Sequence, residues 1–334
     1  MNKLKKQAFF LITFLLSNGI LYFLEFPRWS FIIIAFFFLA SYMIYLHESQ
    51  KHLTKPDEKA NILIRHETFL ENYEKELEVA KRVQQGLLSF EPPHLPGINI
   101  VKRCIPASSV GGDFYTFINK DSKALNQKPK IPGVIEYIDK RESYLSIVIG
   151  DVAGHGVSSA LIMALSSGLF SEIGKITGSP GQLLKTANND LLKYIENTQI
   201  SYVTAFYCTL NLANKTLNFS MAGHPPAVLL HKNNKIEILK TDGIVLGMYE
   251  NEEFEEKELE LKSGDRLFLY TDGILEARNT SGEEFGFDRF VQIIKQNNKQ
   301  PLPQIHDLIF EEVKDFSSSQ EARDDQTLVI LEVK

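Results

Sequence analysis

Leu145-Ser-Ile-Val-Ile-Gly-Asp-Val-Ala-Gly-His-Gly156 is the stretch on which the reading of this chain turns. Its first half is a short apolar run of the kind that forms a buried strand. Its second half sets a carboxylate, Asp151, at the strand's end among glycines. The arrangement recurs along the chain. Arg266-Leu-Phe-Leu-Tyr270 ends in Thr271-Asp272-Gly273, Val110-Gly-Gly-Asp-Phe-Tyr115 carries Asp113, and Arg323-Asp-Asp-Gln-Thr327 leads into a last apolar run. A lone Asp-Gly is ordinarily a turn. Four aspartates at the mouths of buried strands are another matter, because gathered carboxylates repel and burial raises the penalty. Hard divalent cations remove that penalty, and all-oxygen ligation suits Mg²⁺ or Mn²⁺. A pair of such ions lowers the pKa of a bridging water and clamps a phosphoryl group for in-line displacement. The sequence shows no Gly-rich loop with Lys-Ser/Thr for a nucleoside triphosphate. Hydrolysis by metal-bound water is therefore the favoured chemistry.

Outward from this stretch, residues 98–334 alternate strands with a few helices. Strands are expected at Ile98–Cys104, Tyr144–Ile149, Tyr202–Leu210, Thr216–Ser220, Ala227–His231, Lys235–Leu239, Arg266–Tyr270 and Thr327–Val333. The 214–240 region reads as an antiparallel meander. Val157–Ile173 and Pro180–Ile195 read as helices, the second with Ser179 as cap and Pro at its first position. Two more helices are expected near Asp288–Lys295 and Pro303–Asp315. Lys120–Lys140 is polar and reads as a surface loop. Consecutive strands with segregated helix pairs predict an α+β layered domain over 91–334.

The first 46 residues are a different material. Gln7–Phe26 and Ser30–Leu46 are apolar runs separated by Phe26-Pro-Arg-Trp29, and about 20 helical residues cross a bilayer core. A transmembrane helical hairpin over 1–46 is the simplest reading. Lys3, Lys5, Lys6, Lys51 and Lys55 flank it, while the turn has only Arg28, so both termini and the catalytic domain are expected in the cytoplasm. Residues 47–90 read as a helical linker starting at Pro56. Leu63, Leu70, Leu77 and Gln84, with His66, Tyr73, Ala80 and Leu87, form an imperfect heptad pattern compatible with a solvated spacer or with a homodimer through a coiled coil. Glu91-Pro-Pro-His-Leu-Pro-Gly97 breaks the helix. A net charge of −6, from 36 basic and 42 acidic residues, argues against nucleic acid as a partner. Two cysteines exclude a disulfide framework or a cysteine zinc site.

Several stretches, in order, resemble the SpoIIE/RsbU branch of the metal-dependent type 2C (PPM) serine phosphatases. They are Ala80-Lys-Arg-Val-Gln-Gln-Gly-Leu-Leu88, Val110–Tyr115, Gly150–Gly156, Ala160-Leu-Ile-Met-Ala164, Thr204-Ala-Phe, Ala222-Gly-His-Pro-Pro226, Leu246-Gly247, Tyr270-Thr-Asp-Gly-Ile274 with Glu276-Ala277, and Asp324-Asp-Gln-Thr327. The resemblance implies an αββα sandwich and two Mn²⁺ or Mg²⁺ ions. As metal ligands it implies Asp113, Asp151 as bridge, the Val152 carbonyl, Asp272 and Asp324. It also implies a bacterial inner-membrane enzyme acting on phosphoserine or phosphothreonine of an anti-sigma factor antagonist, a STAS-domain-like protein. Two departures stand out: Thr116 replaces a common second Asp, and no Arg stands where eukaryotic relatives hold the phosphate. Asp325 is able to exchange roles with Asp324, since neighbours in an extended segment face opposite ways. His155 reads as a substrate or water contact, or simply as the start of a helix. His224 reads as a turn residue whose ring bonds a carbonyl, Cys104 and Cys208 as core residues, and Arg103 as a surface charge. A non-catalytic scaffold of the same fold is the alternative, with Thr116 as its first sign. A diguanylate cyclase, suggested by Gly111-Gly-Asp-Phe114, lacks the acidic residue that family needs next.

Overall fold

The computed structural model describes residues 13, 29–89, 91–121, 143–196, 198, 200, 202–318 and 322–334. It divides the chain into two units, Met1–Lys75 and Glu76–Lys334. The first expected transmembrane run, Gln7–Phe26, and most of the polar 120–140 insertion lie outside the described residues. The second run lies within helix α1, Trp29–Leu88. That helix passes through Pro56 rather than beginning there. Proline's fixed φ is itself helical, so an interior Pro forfeits a hydrogen bond and strains the turn before it without always ending the helix.

In the second unit the elements are β1 (Ile98–Ile105), β2 (Phe114–Asp121), β3 (Ser143–Val152), α2 (Val157–Gly174), α3 (Pro180–Ile195), β4 (Val203–Asn211) and β5 (Thr216–Ala222). There follow β6 (Ala227–Leu230), β7 (Ile236–Leu239), β8 (Lys257–Glu260), β9 (Arg266–Tyr270), α4 (Asp272–Leu275), α5 (Gly286–Gln296), α6 (Leu302–Phe316) and β10 (Gln326–Val333). They build two five-stranded antiparallel sheets, ordered β1-β10-β9-β6-β7 and β2-β3-β4-β5-β8.

Side-chain alternation along the strands makes the layers. On β3, Ile147 and Ile149 enter the core between the sheets, while Val148 and Val152 face α2 and α3. On β10, Val329 and Leu331 enter the same inter-sheet core, and Leu328 and Ile330 face α5 and α6. Three apolar layers thus hold four layers of structure, an αββα sandwich, and each fully buried Leu, Ile or Phe contributes roughly 1.5–3 kcal/mol. Helix α2 has the length and hydropathy to cross a membrane, but Met163, Phe170 and Ile173 are buried against the sheet that α2 covers. Helix α3 begins as its sequence implies, with Ser179 Oγ accepting from Gln182 N at 3.2 Å.

The strand expectations fail at β2 and β8. Glu258 and Glu260 put charge into β8, which lies at the edge of its sheet, so no apolar alternation announces it. The 214–240 region is antiparallel as expected within each pair, but β5 and β6 belong to different sheets, and Gly223-His224-Pro225-Pro226 carries the chain across.

Candidate metal centre

The topology brings the four aspartates to one end of the sandwich, two from each sheet. Phe114 pairs with Gly150, which sets Asp113 and Asp151 opposite each other just beyond that pair. In the other sheet, Asp272 follows β9 and opens α4, and Asp324 precedes β10, which pairs with β9.

Hydrogen bonds stitch the sheets together here. Asp113 is buried, and its Oδ2 accepts from Thr271 Oγ1 at 2.7 Å and Thr327 Oγ1 at 2.6 Å. Asp325 is not interchangeable with Asp324. Its carboxylate points into the loop before β2, accepting from the backbone N–H of Ala107 (2.7 Å), Gly112 (2.5 Å) and Asp113 (3.3 Å). Asp324 is left on the half-open side, its carboxyl raised by burial and by the nearby charges of Asp272 and Asp325.

Glycine is required where the backbone closes in. A Cβ on Gly112 would stand 2.7 Å from the Val152 carbonyl oxygen and 3.2 Å from Asp151 Oδ1. A Cβ on Gly111 would strike the Asp325 carboxylate at 2.1 Å. Gly111 is also gripped by α1: Gln84 Nε2 donates to its carbonyl at 2.7 Å, and its N–H donates to Gln84 Oε1 at 3.0 Å. Gln84 is buried, so the amide pairing satisfies groups that water does not reach.

The electrostatics are those of a cation site. Burial, then the charge of Asp151, holds Asp113 well above the carboxylate range. Burial, then Asp272, Asp324 and Asp325, pushes Asp151 up to about 7. Asp272 is raised by burial and by Glu276. Among the described residues no three acidic, His or Cys side chains converge closely enough to grip one ion as they stand. The donor set nevertheless fits hard cations: all oxygen, repelling without them, with the space at Gly112 keeping the Val152 carbonyl and Asp151 clear.

This sets the pH dependence of the chelator-treated protein. Asp113 and Asp151 have folded-state pKa values above their unfolded ones, so their contribution is full at low pH and is lost as pH rises through the folded values. Buried His224, lowered to about 3 mainly by burial, acts oppositely, but above pH 6.5 only the second half of its unfolded-state titration remains, about 0.4 kcal/mol and less than the opposing carboxylate effect. Thermal melting in chelator is expected to show a lower Tm at pH 8.5 than at pH 6.5, with Mn²⁺ reversing the order. A metal-free Tm that rises over this interval would contradict the acidic cluster.

The remaining candidates resolve as follows. Thr116 Oγ1 lies 2.8 Å from Ser167 Oγ of α2, so this position ties strand to helix. His155 is exposed and lies near Asp324, whose carboxyl it draws downward. The His224 ring meets the Tyr270 backbone carbonyl, as expected, and its Nδ1 also lies 2.9 Å from the Thr204 hydroxyl, whose Oγ1 reaches toward the Asp151 carbonyl at 3.4 Å. Cys208 lies in the inter-sheet core with its thiol pushed up to about 12, and burial also raises Cys104. Arg103 pairs with Asp307 at 2.7 Å, as a surface charge does. Gln84 and the capping role of Asp325 escaped the sequence reading, since neither residue type signals a backbone partner remote in the chain.

Known proteins resemble this chain in sequence and in fold. Residues 141–334 match the family model described as Stage II sporulation protein E (SpoIIE). The chain is 26% identical over 263 residues to the phosphoserine phosphatase RsbU of Bacillus subtilis, covering 78% of this chain and 70% of that one. It is 27% identical over 270 residues to the phosphoserine phosphatase RsbP of the same organism, covering 80% of this chain and 60% of RsbP. Among solved structures it resembles the SiaA-PP2C domain of Pseudomonas aeruginosa, with a TM-score of 0.60 at 20% identity over 79% of this chain and 98% of that one.

Proposed function

We infer function from one premise, that the chain belongs to the SpoIIE family: it is a metal-dependent protein serine phosphatase. The observation that carries the reading is the meeting of Asp113 and Asp151 from one sheet with Asp272 and Asp324 from the other. These four would hold two Mn²⁺ or Mg²⁺ ions, with the Val152 carbonyl as a further donor. When bound, the ions supply a water of lowered pKa and positive charge for the phosphoryl oxygens. The chain's own residues do the positioning. Thr271 and Thr327 aim the Asp113 carboxylate, Asp325 fixes the loop before β2, and Gly112 keeps the Val152 carbonyl accessible.

The finer reading is a membrane-anchored enzyme acting on a phosphorylated anti-sigma factor antagonist, with its catalytic domain in the cytoplasm. Support for the anchor comes from the second apolar run, which is helical and leaves Phe36, Leu39, Met43 and Ile44 exposed. Leu63, Leu70 and Tyr73 are likewise exposed on α1, in keeping with a homodimer through the linker. A phosphoproteome comparison with and without the enzyme tests reaction and partner together. An unchanged phosphoserine inventory under inducing conditions would reject the reading.

Linker control of the metal site is supported by the Gln84–Gly111 pairing, which joins α1 to the loop that carries Asp113. Gln84→Leu strands two buried backbone groups, at about 1–3 kcal/mol. Mn²⁺ affinity measured by calorimetry is expected to fall roughly tenfold. Wild-type affinity in this variant would break the proposed link.

A further inference from the structure

Beside the metal corner opens a cavity of about 520 Å³, bordered by Gly273 and Asp324 at one end and running along α6. Four cations line it. Two are committed: Arg103 to Asp307 and over the Phe310 ring at 5.0 Å, and Arg278 to Glu284. The other two, Lys314 and Arg323, are exposed and have no ion-pair partner among the described residues. Arg323 is the residue immediately before Asp324, and both line the cavity. Of the acidic residues on the same walls, Glu276 faces Asp272 and belongs with the acids of the corner, while Glu311 is an exposed residue of α6.

We propose that this cavity is the docking cleft for the phosphoseryl segment of the protein substrate, with Arg323 binding the phosphoryl group and Lys314 an acidic group farther along the same segment. The inference rests on the phosphatase reading above and extends it to substrate recognition. Its logic is charge balance. Once divalent ions neutralise the four aspartates, Arg323 lines the cavity with no ion-pair partner among the described residues, and a phosphoryl group approaching the ions supplies one. A guanidinium presents two parallel N–H donors that match two phosphoryl oxygens. The cavity is far larger than one phosphoryl group and carries both signs of charge, which suits a stretch of polypeptide rather than a bare ion.

The test uses the full chain in detergent micelles with Mn²⁺. Three quantities are measured: kinetics on a phosphoserine protein, kinetics on para-nitrophenyl phosphate, and calorimetric binding of inorganic phosphate. Arg323→Ala is expected to raise KM for both substrates roughly tenfold or more and to weaken phosphate binding in parallel, with Mn²⁺ affinity unchanged. Arg323→Lys is expected to recover only part of the loss, because a point charge replaces the fork. Lys314→Ala is expected to raise KM for the phosphoprotein alone. Wild-type KM and phosphate affinity in Arg323→Ala would overturn the proposal, as would a loss traced entirely to weaker Mn²⁺ binding. A wild-type protein that binds phosphate through Arg323 yet hydrolyses neither substrate would instead overturn the phosphatase reading and leave the anion site standing.

Discussion

Asp151→Asn is expected to give a folded protein whose turnover of a phosphoserine substrate falls by about a thousandfold or more. Asp151 lies at the end of β3, where the charges of Asp272, Asp324 and Asp325 all bear on it, and it is one of the ligands proposed above for the ions. An amide is a poor ligand for hard cations. Loss of a carboxylate ligand would remove several kcal/mol of transition-state charge stabilisation, and each 1.4 kcal/mol is tenfold in rate. The same substitution removes a buried, repelled charge, so in chelator at pH 8 the variant is expected to melt higher than the wild type. Rate and stability therefore move in opposite directions, a pattern that general damage to the fold does not produce. Turnover at the wild-type rate would reject the ligand assignment.

Asp325→Ala is expected to fail in the other way. Its carboxylate receives three backbone N–H groups from the loop before β2, and charge-assisted hydrogen bonds contribute about 1.5–3 kcal/mol each, less than additively. A loss of about 3–5 kcal/mol is expected, which lowers Tm on the order of 10 °C for a domain of this size. Asp324→Ala, one residue away, is expected to abolish Mn²⁺-dependent activity while leaving the metal-free Tm unchanged or higher. Thermal melts and Mn²⁺ calorimetry on the two variants separate the roles. Equal destabilisation by both would mean that the two neighbours are interchangeable after all.

These two aspartates also mark where the sequence stopped being legible. The apolar runs at 145–149, 266–270 and 327–333 declare buried strands because their β-branched and aromatic side chains serve cores on both faces. The acids at their ends were visible for the same reason, as charges abutting apolar runs. Strand β2 was hidden because its outer half, Asn119-Lys120-Asp121, is polar. The roles of Asp324 and Asp325 turn on which carboxylate meets the 107–113 backbone, a contact spanning over 200 residues that local alternation does not encode. Gln84 was hidden likewise, since a heptad position and a buried amide clamp read the same in sequence. Helix α1 ignored Pro56 because a penalty of a few kcal/mol at one residue is small against a long run of helix-forming neighbours.

The threonine clasp on Asp113 has a bearing on the protein's life before it is finished. Its two hydroxyls come from residues 158 and 214 positions downstream, and β10, which brings the second, lies between β1 and β9. A chain emerging from the ribosome therefore presents Asp113 long before anything can orient it, and β1 waits for its neighbour until synthesis has passed Val333. A chain that stops short of Thr327 lacks the second hydroxyl and the strand that pairs with β1, and so has no means of holding the Asp113 carboxylate in place.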